Sequence, residues 1–220
     1  MTQTFGDFDD FDFDDFDDFD DFEMEVNYRT VDICGLVKKL KSKRRKGFKI
    51  TRDVKQLGAL LGDPPKPTEC FKMLSVGGGF SSLGIIKFVA DREVIEEMYV
   101  STFRIGKKHF EVLDRLHRTG RLKKASFITS TTQERVDEKM SHNGTEYNYY
   151  QHVQEVCEKN GWIIKAFDNH SKLILMKTDN SFYVVETSSN LNENPKMEQF
   201  SWENDKGLYE WYKELFIELL

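Results

Sequence analysis

Cysteine is scarce in this chain of 220 residues: there are three, Cys34, Cys70 and Cys157. They stand far apart, are odd in number and form no Cys-x-x-Cys pair. That argues against a disulfide framework or a zinc ribbon, and the natural reading is a reducing compartment, the cytoplasm. Long hydrophobic runs are missing too, and none approaches the ~20 residues of a membrane span. No basic-then-apolar signal pattern opens the chain, so the sequon Asn143-Gly144-Thr145 carries little meaning. Bases are absent from the first 25 residues, which hold ten Asp and two Glu. Removing those twelve from the 38 acids of the chain leaves 26 acids against 32 bases. The net charge of −6 therefore conceals a body of +6 behind an acidic tail. A basic body is what a polyanion-binding surface needs, although net charge alone is a weak argument for one.

Within the tail, residues 5–22 read FGDFDDFDFDDFDDFDDF, with Phe at 5, 8, 11, 13, 16, 19 and 22. Repulsion among the carboxylates opposes compaction, so residues 1–25 are expected to be disordered in isolation. The Phe spacing fits neither a helix face nor a strand face. Two readings stand: a solvated tail, or aromatic anchors with negative charge that dock into a basic groove on another protein or on this protein's own body. Residues 38–49 (KKLKSKRRKGFK) carry eight bases and no acid. Lys43, Arg44, Arg45 and Lys46 within this run are candidate phosphate contacts, weighed equally against a solvated helix face or turn.

The remaining pattern predicts structure that alternates. A short amphipathic helix is expected over 31–40, and another from Thr51 or Asp53 to near Gly62. From Cys70 onward, strands are expected at 70–76, 97–103 and 123–130, with helices at 82–91, 107–119 and 146–160. Three strands follow in quick succession, Trp162–Phe167, Leu173–Met176 and Phe182–Thr187. A hairpin turn, Lys177-Thr178-Asp179-Asn180, joins the last two, and a helix over 206–218 ends the chain. This order argues for an α/β sandwich with a mixed, mostly parallel sheet and helices on both faces. The implied organisation is an acidic tail (1–25), a helical and basic lead-in (26–66) and an α/β domain (67–220).

The residues that carry chemistry are His170 and Lys172, then Ser188 and Asn190 after an apolar hairpin. Alternate residues of a strand share a face, so each pair projects together and the four converge at one sheet edge. A neutral imidazole can attack phosphorus and form a phosphohistidine. Lys172 and Asn190 can grip non-bridging oxygens as charge builds. Glu198 could accept from the other imidazole nitrogen and fix its tautomer. No metal ligand and no cofactor is called for. Arg104, after the second strand, extends the basic surface. Gly77-Gly78-Gly79 before a helix could cradle a phosphate, but tight strand-to-helix packing is the simpler reason for it. His109 and His117 read as ordinary helix residues.

These residues resemble the phospholipase D superfamily, whose signature is His-x-Lys, a short apolar strand with an Asp, then Gly-Ser-x-Asn and often a downstream Glu. Here the matching residues are His170-Ser171-Lys172, Thr187-Ser188-Ser189-Asn190 and Glu198. The family's Asp falls at Lys177, with Asp179 as a substitute only if the hairpin shifts, and its Gly is Thr187. The resemblance implies a phospholipase D-like sandwich and metal-independent phosphodiester chemistry. With one motif where the family uses two, it also implies a homodimer in which two His170 side chains meet. Single-motif members include bacterial endonucleases, which points to DNA as substrate. No membrane partner is implied, since no membrane-binding helix stands out. The alternative is a degenerate member that binds nucleic acid without cutting, its tail recruiting a protein partner.

Overall fold

The computed structural model describes residues 45–50, 61–75, 80–134, 149–192 and 197–220. The chain divides into Met1–Lys41 and Ser42–Leu220, and every described residue belongs to the second unit. The Phe/Asp tail, the helix expected over 31–40, Lys43, Arg44, Gly77-Gly78-Gly79 and most of the helix expected before Gly62 lie outside the described residues.

The strands are β1 (Arg45–Ile50), β2 (Glu69–Ser75), β3 (Ile95–Ser101), β4 (Leu122–Ser130), β5 (Ile163–Phe167), β6 (Leu173–Lys177), β7 (Phe182–Thr187) and β8 (Glu198–Asn204). The helices are α1 (Ser82–Ala90), α2 (Lys107–Arg118), α3 (Tyr149–Lys159) and α4 (Lys206–Leu219). The strands form one sheet in the order β1-β2-β8-β7-β6-β3-β4-β5. Three of its seven neighbouring pairs are parallel and four antiparallel. The sheet is thus mixed, but the expectation of a mostly parallel one is corrected. The reason is β8, which the pattern did not announce. Its sequence, EQFSWEN, is largely polar, yet Phe200 and Trp202 alternate into the core and are 2% and 0% exposed. It inserts antiparallel between β2 and β7. β1 is a second correction: residues 45–50 of the basic run form an edge strand parallel to β2, not a helix face or turn.

Helix lengths follow local chemistry. The stripe Phe110, Leu113 and Leu116 seats α2 on the sheet. Gly120 and Gly161, at φ +72 and +67, end the turns after α2 and α3, where a side chain would be strained. The Asp205 carboxylate caps α4 by accepting from the Leu208 amide at 2.8 Å. Successive residues of β6 face opposite ways. Ile174 and Met176 join the larger core under α1, α2 and α3, whereas Leu175 joins a smaller one with Tyr209 and Phe216 of α4. Helices therefore cover both faces, as expected. Side-chain bonds fasten α4 to the sheet: the Tyr209 hydroxyl and the Lys213 ammonium both donate to Oε2 of Glu97, at 3.1 and 2.8 Å, and the Tyr212 hydroxyl donates to Oε1 of Glu186 at 2.5 Å.

Strand directions gather several loops at one end of the sheet. β2, β3, β4 and β5 finish there, and so does β7, whereas β6 and β8 begin there. At the opposite end lies the β6–β7 turn, closed by the Thr178 amide donating to Ser181 O at 3.0 Å. No helix among the described residues is long and apolar enough to cross a membrane.

Candidate active site

The end of the sheet where β3, β4 and β5 finish carries residues 168–172, which run from β5 to β6. His170 is exposed there and Lys172 half-buried. The Lys172 ammonium donates to Nδ1 of His170 at 3.0 Å and to the same residue's main-chain oxygen at 2.6 Å. The two side chains thus lie together, although residues 168–172 precede β6 and belong to no strand, so it is the contact and not strand alternation that pairs them. The imidazole lies 5.2 Å from the Phe103 ring, centroid to centroid. Burial pushes the Lys172 ammonium below the ordinary lysine range, while the Glu198 carboxylate pulls it back up.

The second half of the motif follows β7 and is joined to the first by a main-chain bond, Thr187 N donating to Lys172 O at 3.2 Å. Thr187, standing where the resembled family has Gly, uses its hydroxyl twice. It donates to Gln199 O at 2.9 Å and accepts from the Ser189 amide at 2.9 Å. The turn that a glycine would allow by freedom is held here by a side chain. Ser188 donates its hydroxyl to Oε2 of Glu198, and accepts from the Gln199 amide at 3.0 Å. Oδ1 of Asn190 is buried without a hydrogen-bond partner, an acceptor left over beside the motif. The next amide, Leu191 N, donates to Thr102 Oγ1 at 3.0 Å, and Ser82 Oγ at the start of α1 donates to Ser189 O at 3.2 Å. The loop is thereby pinned from two sides.

Some expected roles do not materialise in this geometry. Glu198 was expected to accept from His170. Among the described residues, the polar contacts of the imidazole are with Lys172, and Glu198 receives Ser188 instead. Asp179 does not replace the family's Asp: it sits in the β6–β7 turn at the far end of the sheet, close enough to act on Lys123 at the start of β4. Lys177 ends β6 at that same far end, opposite Glu97 and Phe182. Register also puts Arg45 and Lys46 level with Glu69 and Cys70, at the start of β2. His170 lies beyond the other end of the sheet. Arg104 follows β3 near Phe103, and its main-chain oxygen accepts from Thr102 Oγ1 at 2.9 Å.

Other residues at this end had no motif to announce them. A groove of about 1240 Å³ opens beside Asn169, Ser171 and Lys172 and runs between the sheet and α4, past Lys72, Tyr212 and Leu215. Lys72 donates to Ser201 Oγ at 2.5 Å. A lone Lys in an apolar strand was the one available signal for it. Among the described residues no group of three His, Cys, Asp or Glu side chains gathers as a metal site would require.

No known family profile matches the chain, and no curated protein matches it. Several solved structures are similar in fold. One is a polyphosphate kinase from Porphyromonas gingivalis, 14% identical with a TM-score of 0.49, covering 70% of this chain and 24% of the kinase. A phosphatidylserine synthase from Haemophilus influenzae is 14% identical with a TM-score of 0.46, covering 66% of this chain and 37% of the synthase. TrmBL2, an archaeal chromatin protein that binds DNA, is 13% identical with a TM-score of 0.42, covering 67% of this chain and 51% of its own. The chain thus spans between about a quarter and a half of these proteins. At such identities and TM-scores these likenesses carry no functional argument, and the case for function rests on the residues themselves.

Proposed function

We propose that this domain is a metal-independent phosphodiesterase of phospholipase D type, a nuclease acting on DNA from a homodimeric site with His170 as nucleophile. The observation that carries the reading is the contact of Lys172 with His170 Nδ1 at 3.0 Å, with Ser188 and Asn190 in the loop bonded to Lys172. A cation beside an exposed imidazole at a sheet end is a poor structural device, because such a pair adds little net stability. It is a good phosphate site.

The steps follow from what each group can do. A phosphodiester entering the site attracts Lys172 from Nδ1 to a non-bridging oxygen, which frees an imidazole lone pair. That nitrogen attacks phosphorus, an N–P bond forms and the P–O bond to the leaving group breaks. The leaving oxygen takes a proton from His170 of a second copy, acting as general acid. Water then attacks phosphorus, the N–P bond breaks and the second imidazole recovers the proton. Lys172 and the Asn190 amide group stabilise the charge on the equatorial oxygens in both steps. Ser188 holds Glu198, and Glu198 keeps a negative charge near Lys172 so that the ammonium stays charged despite its burial. DNA is favoured as substrate by the +6 charge of residues 26–220. Arg104 is proposed as a backbone-phosphate contact away from the scissile bond, with Lys43, Arg44, Arg45 and Lys46 of the basic run as further phosphate contacts.

The test is DNA cleavage in EDTA by the wild type and by His170→Ala. Cleavage that survives chelation and disappears in the variant supports the reading. Tight DNA binding with no cleavage by either protein replaces it with the alternative, a degenerate domain that binds nucleic acid and uses its tail to recruit a protein.

A further inference from the structure

The segment that carries His170 takes a demanding path. β5 lies beyond β4 at one side of the sheet, whereas β6 pairs with β3, so residues 168–172 must cross the ends of both β4 and β3. Three strand spacings are about 14 Å, and six residue steps reach about 20 Å when extended. Such a crossing has little slack, and among the described residues its backbone meets a strand at Lys172 O, which accepts from Thr187 N of β7.

Asn169 occupies the middle of the crossing and uses both ends of its amide. Nδ2 faces the fixed strand ends, donating to Ser101 Oγ at 3.0 Å, Thr102 O at 3.2 Å and Ile128 O at 3.4 Å. Oδ1 faces forward and accepts from the Ser171 amide at 2.9 Å and the Ser171 hydroxyl at 2.8 Å. Ser101 and Ser171 complete the ring, their hydroxyls 2.5 Å apart, and Ser101 is only 5% exposed. The residue before His170 and the residue after it are therefore both tied to the ends of β3 and β4. The imidazole, itself exposed, has its direction set by this cradle and by the Phe103 ring.

We propose that Asn169 is the positioning residue of this site: it fixes the backbone of His170 so that the imidazole and the Lys172 ammonium face one phosphate together. This rests on His170 being the nucleophile. Asn169 acts through His170, and only an amide fills the role, because the position demands a donor towards β3 and β4 and an acceptor towards Ser171. Aspartate retains the shape and the acceptor but sets a carboxylate against the carbonyls of Thr102 and Ile128. Alanine supplies neither function.

The experiment compares the full-length wild type with Asn169→Asp, Asn169→Ala and the milder Ser101→Ala. Cleavage of bis(p-nitrophenyl) phosphate in EDTA gives kcat, KM and the pH–rate profile. Histidine-selective NMR follows the His170 ring through a pH titration, and thermal melts report folding. A displacement of about 1 Å in a reacting group can reduce rate about 100-fold. Asn169→Asp is accordingly expected to lower kcat about 100-fold with KM within about twofold, and to shift the pH profile and the His170 titration together. Ser101→Ala should move the same quantities in the same direction by less, which keeps the test open if an Asn169 variant fails to fold. A kcat within about threefold of wild type with an unchanged His170 titration overturns the proposal. If the wild type itself cleaves nothing in EDTA, the nucleophile reading fails. The NMR titration then still decides the cradle: a His170 signal unmoved in Asn169→Asp and Ser101→Ala refutes it, and a moved one sustains it.

Discussion

The amide of Thr187 donates to the main-chain oxygen of Lys172 at 3.2 Å, so one backbone bond joins the two halves of the candidate site. The halves are contributed by segments fifteen residues apart that flank the β6–β7 hairpin. Their separation is set by hairpin register, in which Leu173 stands opposite Glu186, and not by side-chain contacts that could slip independently.

His170→Ala should abolish EDTA-resistant cleavage, a loss of about 10³-fold or more, with thermal stability close to wild type. The side chain is exposed and buries little, so a melt that collapses along with activity would instead mark His170 as structural. A single-turnover reaction quenched in base should also trap an alkali-stable phosphoryl adduct in the wild type and none in the variant.

Lys172 titrates below the ordinary lysine range because burial disfavours its charged form more than Glu198 restores it. If its charge holds the phosphate, activity should decline on the alkaline side earlier than a free lysine would dictate. Lys172→Arg should move that decline to higher pH, because a guanidinium does not deprotonate in this range. An alkaline limb identical in the two proteins would separate Lys172 from the chemistry.

His109 gives an independent pH signature in the scaffold. It is 4% exposed in α2, and burial depresses its imidazole from 6.5 to about 4. Below pH 6.5 the unfolded chain takes up this proton and the native one resists it until near pH 4. Stability therefore falls across that window as pH drops, by up to about 3 kcal/mol, and is intact above it. His109→Leu should flatten this part of the stability curve in chemical denaturation from pH 7 to 4. An unchanged slope would show that the imidazole is solvated or partnered in solution.

Trp202 is wholly buried on β8 and meets Phe71, Phe88 and Tyr183 edge-on, at ring separations of 6.2, 5.8 and 5.6 Å. Trp202→Ala is expected to destabilise by about 3–5 kcal/mol in urea titration, through lost contacts and the cavity left behind. A loss under about 1 kcal/mol would mean that β8 does not bridge β2 and β7 in solution.

Deleting residues 1–23 removes eleven acids and turns a formal charge of −6 into +5. Affinity for DNA is expected to rise about tenfold or more at low salt, and the gain should shrink as salt screens the charges. Fluorescence anisotropy at low and moderate salt measures this. Equal affinities at both salts would leave the tail with no part in polyanion binding.

The local grammar of the chain was open to inspection. The stripe of Phe110, Leu113 and Leu116 announced α2, Gly161 its neighbour's end, and the apolar blocks on either side of Thr178–Ser181 the hairpin. The spacing of His170, Lys172, Ser188 and Asn190 was legible for the same reason: a short hairpin between two motif halves limits where they can go. β8 was not legible, because its core contacts come from only alternate positions of a polar heptapeptide, and its partners are β2 and β7. Asn169 and Phe103 were invisible because their significance lies in Ser101, Ile128 and His170, up to 68 residues distant.

By itself the sequence determined most of the helices and strands from Cys70 onward, the hairpin that separates the two halves of the motif, and the segregation of charge between tail and body. Those properties depend on neighbours a few residues apart, whose periodicity and turn chemistry can be read in order. The tertiary structure alone decided that β8 makes the sheet mainly antiparallel, that Asp179 and Lys177 lie at the wrong end to serve the site, and that Glu198 turns to Ser188. It also decided that an asparagine with no motif of its own holds the histidine. Each of these depends on which strand lies beside which, and strand order is a contest among distant pairings that local sequence does not settle.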